Sequence, residues 1–92
     1  MKESEVHNQF QQVLWYLYSW DRPFSLAEVI KHSMFYKFGS RMSEIDCKEM
    51  NLIGTRTKVN FTNRFGRSSY YYYYEAIDRE QIKTLFYKYG GL

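Results

Sequence analysis

The chain is poor in residues that build covalent or metal-bound frameworks. Its 92 residues include one cysteine, Cys47, one proline, Pro23, and two histidines, His7 and His32. A single thiol forms no internal disulfide and builds no cysteine-rich metal site, so nothing calls for an oxidising compartment. No run approaches the roughly 18 apolar residues that cross a bilayer, and Met1-Lys2-Glu3-Ser4-Glu5 is polar and acidic, unlike a secretory signal. A cytoplasmic protein with no membrane partner is expected. Neither histidine has a cysteine or carboxylate at metal-ligand spacing, and no glycine-rich phosphate loop is present, so no metal and no cofactor are expected. Acid-base or nucleophilic chemistry needs a positioned pair of groups, and the sequence shows none. The chain therefore reads as a binding protein and not an enzyme, with His7 on the surface, His32 on a helix flank and Cys47 a buried thiol. A metal-free ribonuclease built on Tyr, Arg and Lys is the one catalytic alternative left open.

Acid is also missing locally. Residues 54–69 carry Arg56, Lys58, Arg64 and Arg67 and no Asp or Glu, a local charge of +4 in a chain whose net charge is +3. A segment that keeps four cations without acid usually faces something anionic, although a solvated hairpin kept soluble by its charges would look the same. Arg56 and Lys58 share strand parity and should lie on one face; Arg64 and Arg67 flank Phe65-Gly66, where a sharp tip could bring two guanidiniums to phosphates.

Aromatic residues are abundant instead: ten Tyr, seven Phe and two Trp make 21% of the chain, which excludes intrinsic disorder. From Ser4 to Trp20, Val6, Phe10, Val13, Leu14, Leu17 and Trp20 fall in one helical stripe, with Asn8, Gln11, Gln12 and Trp15 on the far side. Pro23 breaks this helix. Ser25 and Glu28 form a capping box that opens a second helix over Leu26 to Tyr36, with Leu26, Ile30, Ser33 and Met34 inward. Gly39-Ser40 marks a break, and Ser43 with Glu44 and Asp46 starts a third helix, Ser43 to Leu52. Two strands follow, Thr55 to Thr62 and Tyr70 to Ile77, joined around Gly66. Asp78 then caps a last helix that Gly90-Gly91 ends, with Gln81 at the box position and Ile77 and Ile82 as a staple. The sequence predicts one α+β domain spanning residues 1–92. Within the tyrosine run, Tyr70, Tyr72 and Tyr74 share one face and Tyr71 and Tyr73 the other; packing on the helices, partner contact and base stacking all remain open for them.

This order of elements resembles the winged helix-turn-helix superfamily over about Ser4 to Leu92, and Asp21-Arg22-Pro23-Phe24-Ser25-Leu26-Ala27-Glu28-Val29-Ile30 is similar to the entry into its helix-turn-helix pair. The resemblance implies a winged-helix-like fold of three helices, a two-stranded wing and a C-terminal helix. It implies a reading helix at Met42 to Ile53 in the major groove of double-stranded DNA, and a wing at Arg56 to Ser69 along the phosphates. Candidate nucleic-acid contacts are Arg41, Lys48, Asn51, Arg56, Lys58, Arg64 and Arg67, with Ser43 beside them. Helix 1 and the last helix often build a dimer in that superfamily, which makes Trp15, Tyr18, Phe86, Tyr87 and Tyr89 candidates for a homodimer or partner interface. The expected function is a DNA-binding regulator of transcription or replication. The alternative is a protein-interaction module, such as a viral or mobile-element inhibitor of a host complex, acting in the host cytoplasm through its aromatic surface.

Overall fold

A few side chains decide where each helix starts. In the computed structural model, which describes residues 1–91, Glu3–Glu5 form only a 3-10 turn, and helix α1 runs Gln9–Ser19. Its start lies later than the expected Ser4 because the Asn8 side chain accepts from Gln11 N at 2.8 Å and so becomes the N-cap. Strand β1, Phe24–Ser25, leads directly into α2, Leu26–Ser33, whose Ser25/Glu28 capping box forms in full. Helix α2 stops earlier than the expected Tyr36, because Met34 takes a left-handed conformation at φ 59° and closes it. Met34 consequently points to solvent, and Val29 occupies the buried position of α2 instead.

Helix α3 spans Phe38–Glu49, five residues ahead of the expected Ser43. Gly39 and Ser40 lie within its first turn and do not break it. A Cβ on Gly39 would stand 3.1 Å from the Tyr74 hydroxyl, so the glycine serves close packing of helix on sheet. The earlier start supplies the apolar stripe that a helix beginning at Ser43 lacks: Phe38, Met42 and Ile45 are all fully buried.

Strands β2, Gly54–Thr62, and β3, Ser68–Ala76, pair antiparallel, and β1 adds to the other side of β3 in the order β1-β3-β2. Because β1 pairs only with Tyr73 and Tyr74, the sheet is two-stranded from Tyr72 outward. That ribbon is an arm on a molecule of 47 × 26 × 21 Å. Helix α4, Arg79–Gly90, starts on the Asp78 cap, whose carboxylate accepts from Glu80 N and Gln81 N. The whole is a winged-helix-like α+β arrangement of four helices and a three-stranded antiparallel sheet.

One core holds the body together. Tyr16, Phe24, Phe38 and Tyr74 meet in tilted and edge-to-face pairs with centroids 4.9 to 6.4 Å apart. Helix α4 lies across α1 and fills the core with Ile82, Leu85, Phe86 and Tyr89. Gln11, expected to face solvent, is buried at this contact: its carbonyl accepts from His7 N and its amide donates to Phe86 O at 3.1 Å. Asn8 donates to Tyr89 O in the same way, so two amide side chains, one of α1 and one of its N-cap, satisfy carbonyls near the end of α4. Among the described residues no helix is long and apolar enough to cross a membrane.

Candidate nucleic-acid interface

The connection between α2 and α3 is four residues, Met34 to Lys37, so α3 follows α2 closely. With Phe38, Met42 and Ile45 facing the core, the opposite side of α3 presents Ser40, Ser43 and Cys47. Cys47 is exposed and not buried, because the true phase of the helix turns it away from Met42 and Ile45. The outward face is therefore small and polar, and it is uncharged except at its margin, where Glu44 is held by Arg41 at 2.6 Å.

The candidate reading residues sit elsewhere. Arg41 donates to Gln9 and Glu44, and Lys48 lies over the Phe10 ring at 5.5 Å, so both turn toward α1. Asn51 is exposed but lies beyond the end of α3, since Met50 closes that helix at φ 54°. Arg41, Lys48 and Asn51 thus form no common reading surface. Ser40, which sequence reasoning passed over, would have been found only by recognising that α3 begins at Phe38.

The arm carries the remaining cations. Register pairs Arg56 with Tyr74, Lys58 with Tyr72 and Asn60 with Tyr70, which places all six on the face that continues from the helices. At the base, Arg56 donates to Ser43 at 3.3 Å and to Asp46 at 3.0 Å, joining β2 to α3 and compensating its own charge. Lys58 sits over the Tyr70 ring at 4.3 Å, an exposed cation-π contact. Arg64 and Arg67 stand at the tip, exposed and without an ion pair among the described residues. Of the four arm cations, three remain available to an outside anion.

The opposite face of the arm is aromatic. Phe61 and Tyr71 meet at 5.6 Å, Tyr71 and Tyr73 at 5.3 Å, and no helix covers Phe61 or Tyr71, both of which are exposed. The tyrosine run therefore divides by parity: Tyr74 enters the core, Tyr72 packs at its edge, Tyr70 supports Lys58, and Tyr71 and Tyr73 line the outer face.

The five residues considered for a dimer interface do not form one surface. Phe86 and Tyr89 are buried in the core, because α4 turns them onto α1. Tyr87 is exposed, and Tyr18 carries the Arg79 guanidinium at 4.4 Å. Trp15 stacks on His32 of α2 with centroids 5.7 Å apart and borders an open cleft of about 460 Å³.

That cleft contains a polar cluster the sequence did not reveal. The Tyr16 hydroxyl bonds His32 Nδ1 at 2.7 Å and Ser33 Oγ at 2.5 Å, and Glu3 lies 3.8 Å from His32 Nε2. Burial, partly offset by the Ser33 hydrogen bond, raises the Tyr16 pKa above its ordinary value, so the phenol keeps its proton. The phenol stands between serine and imidazole, an arrangement that ties α1 to α2 and leaves Ser33 without a direct base. A second tie sits at the end of α4. The Tyr89 hydroxyl and Lys88 both bond Glu49, and the Tyr89 hydrogen bond is the chief reason that the Glu49 pKa is lowered.

The described residues contain no group of three or more His, Cys, Asp or Glu placed to hold a metal. The chain matches no family model, no curated protein and no solved structure.

Proposed function

We propose that the chain is a small winged-helix DNA-binding protein that regulates transcription or replication, holding double-stranded DNA between α3 and the arm. The observation that carries this reading is continuity. The outward face of α3 joins the cationic face of the arm through the Ser43 to Arg56 hydrogen bond, and no acid occurs from Gly54 to Tyr74. Ser40, Ser43 and Cys47 are short enough to let α3 approach base edges, while Lys58, Arg64 and Arg67 supply phosphate contacts. Three such contacts imply that affinity for random-sequence duplex falls about 40-fold between roughly 50 and roughly 200 mM salt. Affinity that is undetectable at the lower salt, or insensitive to salt, would refute the proposal.

A second reading is supported by the outer face of the arm, where Phe61 and Tyr71 are exposed side by side on a ribbon with free strand edges. Such a surface suits a protein partner, as a viral or mobile-element inhibitor of a host complex would need. Replacing Phe61 and Tyr71 by Ser separates the two readings: DNA binding survives under the first, and partner capture is lost under the second.

Neither reading requires a titrating group. With His7 and His32 both replaced by Ala, a folded variant keeps DNA affinity within a few fold. A large loss would point to chemistry or ion binding at one of them.

A further inference from the structure

Phe65 is 84% exposed at the far end of the arm, bordered in sequence by Arg64, Gly66 and Arg67. It touches no part of the core, so it contributes nothing to the fold that a polar residue would not. The loop that presents it is nevertheless well ordered by local hydrogen bonds. Asn63 Oδ1 accepts from Phe65 N at 2.9 Å and from Arg67 N at 3.1 Å. The strands are closed by Asn63 N donating to Arg67 O at 2.8 Å, and Gly66 donates to Asn63 O at φ +73°. An asparagine-anchored turn of this kind fixes the backbone beneath Phe65, so little conformational freedom is lost when the ring is placed in a site.

The reach of the arm limits where that site can be. Arg56 is bonded to α3, and Phe65 follows it by nine residues, which at about 3.3 Å per residue puts the ring up to roughly 30 Å from the helix. On B-form DNA the minor groove flanking a major groove lies about 17 Å along the axis, half of the roughly 34 Å repeat, with a sugar-phosphate strand between them. An arm of this length rooted beside a helix in the major groove is long enough to cross that strand. Its cations Arg64 and Arg67 then arrive at the edges of the next minor groove, with an apolar ring between them.

We propose that Phe65 is a wedge that enters the minor groove and partly unstacks one base step, bending the duplex toward the major groove where α3 lies. Apolar side chains flanked by cations act in this way in minor-groove binders. The inference rests on the DNA-binding reading above and adds a contact and a deformation to it.

The test uses an end-labelled, mixed-sequence duplex of roughly 25 base pairs and the intact chain. Three quantities are read: affinity, the end-to-end energy transfer that reports bending, and permanganate reactivity that reports unstacked thymines. The native chain binds, raises energy transfer and makes one or two thymines reactive. Phe65→Ala binds on the order of tenfold more weakly, with both deformation signals gone, while Phe65→Leu restores part of each. The thermal midpoint of Phe65→Ala equals that of the native chain, which excludes misfolding as the cause. If Phe65→Ala matches the native chain in affinity and bending, or weakens binding while the native complex shows no unstacking, the wedge is overturned and DNA binding stands. If the native chain fails to bind duplex at all, the DNA-binding reading falls and takes the wedge with it.

Discussion

The helical body and the arm use the same residue types in opposite ways. In the body, Tyr16, Phe24, Phe38 and Tyr74 are buried edge to face, and Arg22, Arg41, Arg79 and Lys88 each have a carboxylate within 4 Å. In the arm, Phe61, Phe65, Tyr70 and Tyr71 face solvent, and Lys58, Arg64 and Arg67 have no carboxylate partner among the described residues. Composition does not separate these regions. What separates them is whether a helix lies over the sheet face. The body's buried rings are accounted for by stability, whereas the arm's exposed rings and charges do little for the fold and are free to serve binding. Arg56 marks the boundary: it belongs to the arm by sequence and to the body by its bond to Asp46.

The comparison would break most plainly at Phe38, which touches Tyr16, Phe24, Phe35 and Tyr74. Phe38→Ala is expected to lower stability by about 3 to 5 kcal/mol in urea unfolding, whereas Phe61→Ala costs under about 1 kcal/mol. Equal losses would show that the arm is part of the core.

At the hinge of the two regions, Gly54 is buried, and a Cβ there would stand 2.7 Å from both Glu75 O and Met42 Cε. Backbone cannot yield as a side-chain end can, so Gly54→Ala should cost roughly 1 to 3 kcal/mol and shift the root of the arm. A variant as stable as the native chain would mean that the strands can spread there freely.

The body should also respond to alkali. Burial first, and the Glu49 carboxylate second, push the Tyr89 hydroxyl up to about 12, above its ordinary value of 10. The folded state thus holds this proton more tightly than the unfolded state. Its stabilising share is complete below pH 10 and is lost as pH rises from 10 through about 12. Tyr89→Phe should remove that part of the alkaline decline in a pH series of unfolding midpoints; an unchanged decline would assign it to other tyrosines.

The smallest change in stability is expected at the tip. Replacing Arg64 and Arg67 together by Ala should alter unfolding by under about 0.5 kcal/mol, yet lower the salt slope of DNA binding by about two. Unchanged DNA binding would remove the tip from the interface.

Much of the frame is legible because its causes are local. The α1 stripe, the Ser25/Glu28 box, the Asp78 cap and the parity of Arg56, Lys58 and the tyrosines each depend on residues within a few positions of one another. The start of α3 does not. Gly39 resembles a helix breaker until Tyr74, 35 residues away, is seen resting its hydroxyl on it. The end of α2 is hidden because a methionine, and not a glycine, adopts the left-handed conformation. A helix begun at Ser43 leaves Phe38 out of the stripe that orients α3, and its reading face is displaced accordingly. Pairings such as Arg41 with Gln9, or Lys48 over Phe10, depend on α1 and α3 lying side by side, which no spacing within either helix encodes.

The hydrogen bonds from Asn8 and Gln11 to the carbonyls of Tyr89 and Phe86 hold the start of α1 against the last turns of α4. These turns make one corner of the body. Its arm departs beside Leu17, near the other end of α1, where Gly54 is packed. A substitution at that corner, such as Asn8→Ala, therefore loosens α4 from α1 and leaves the root of the arm in place.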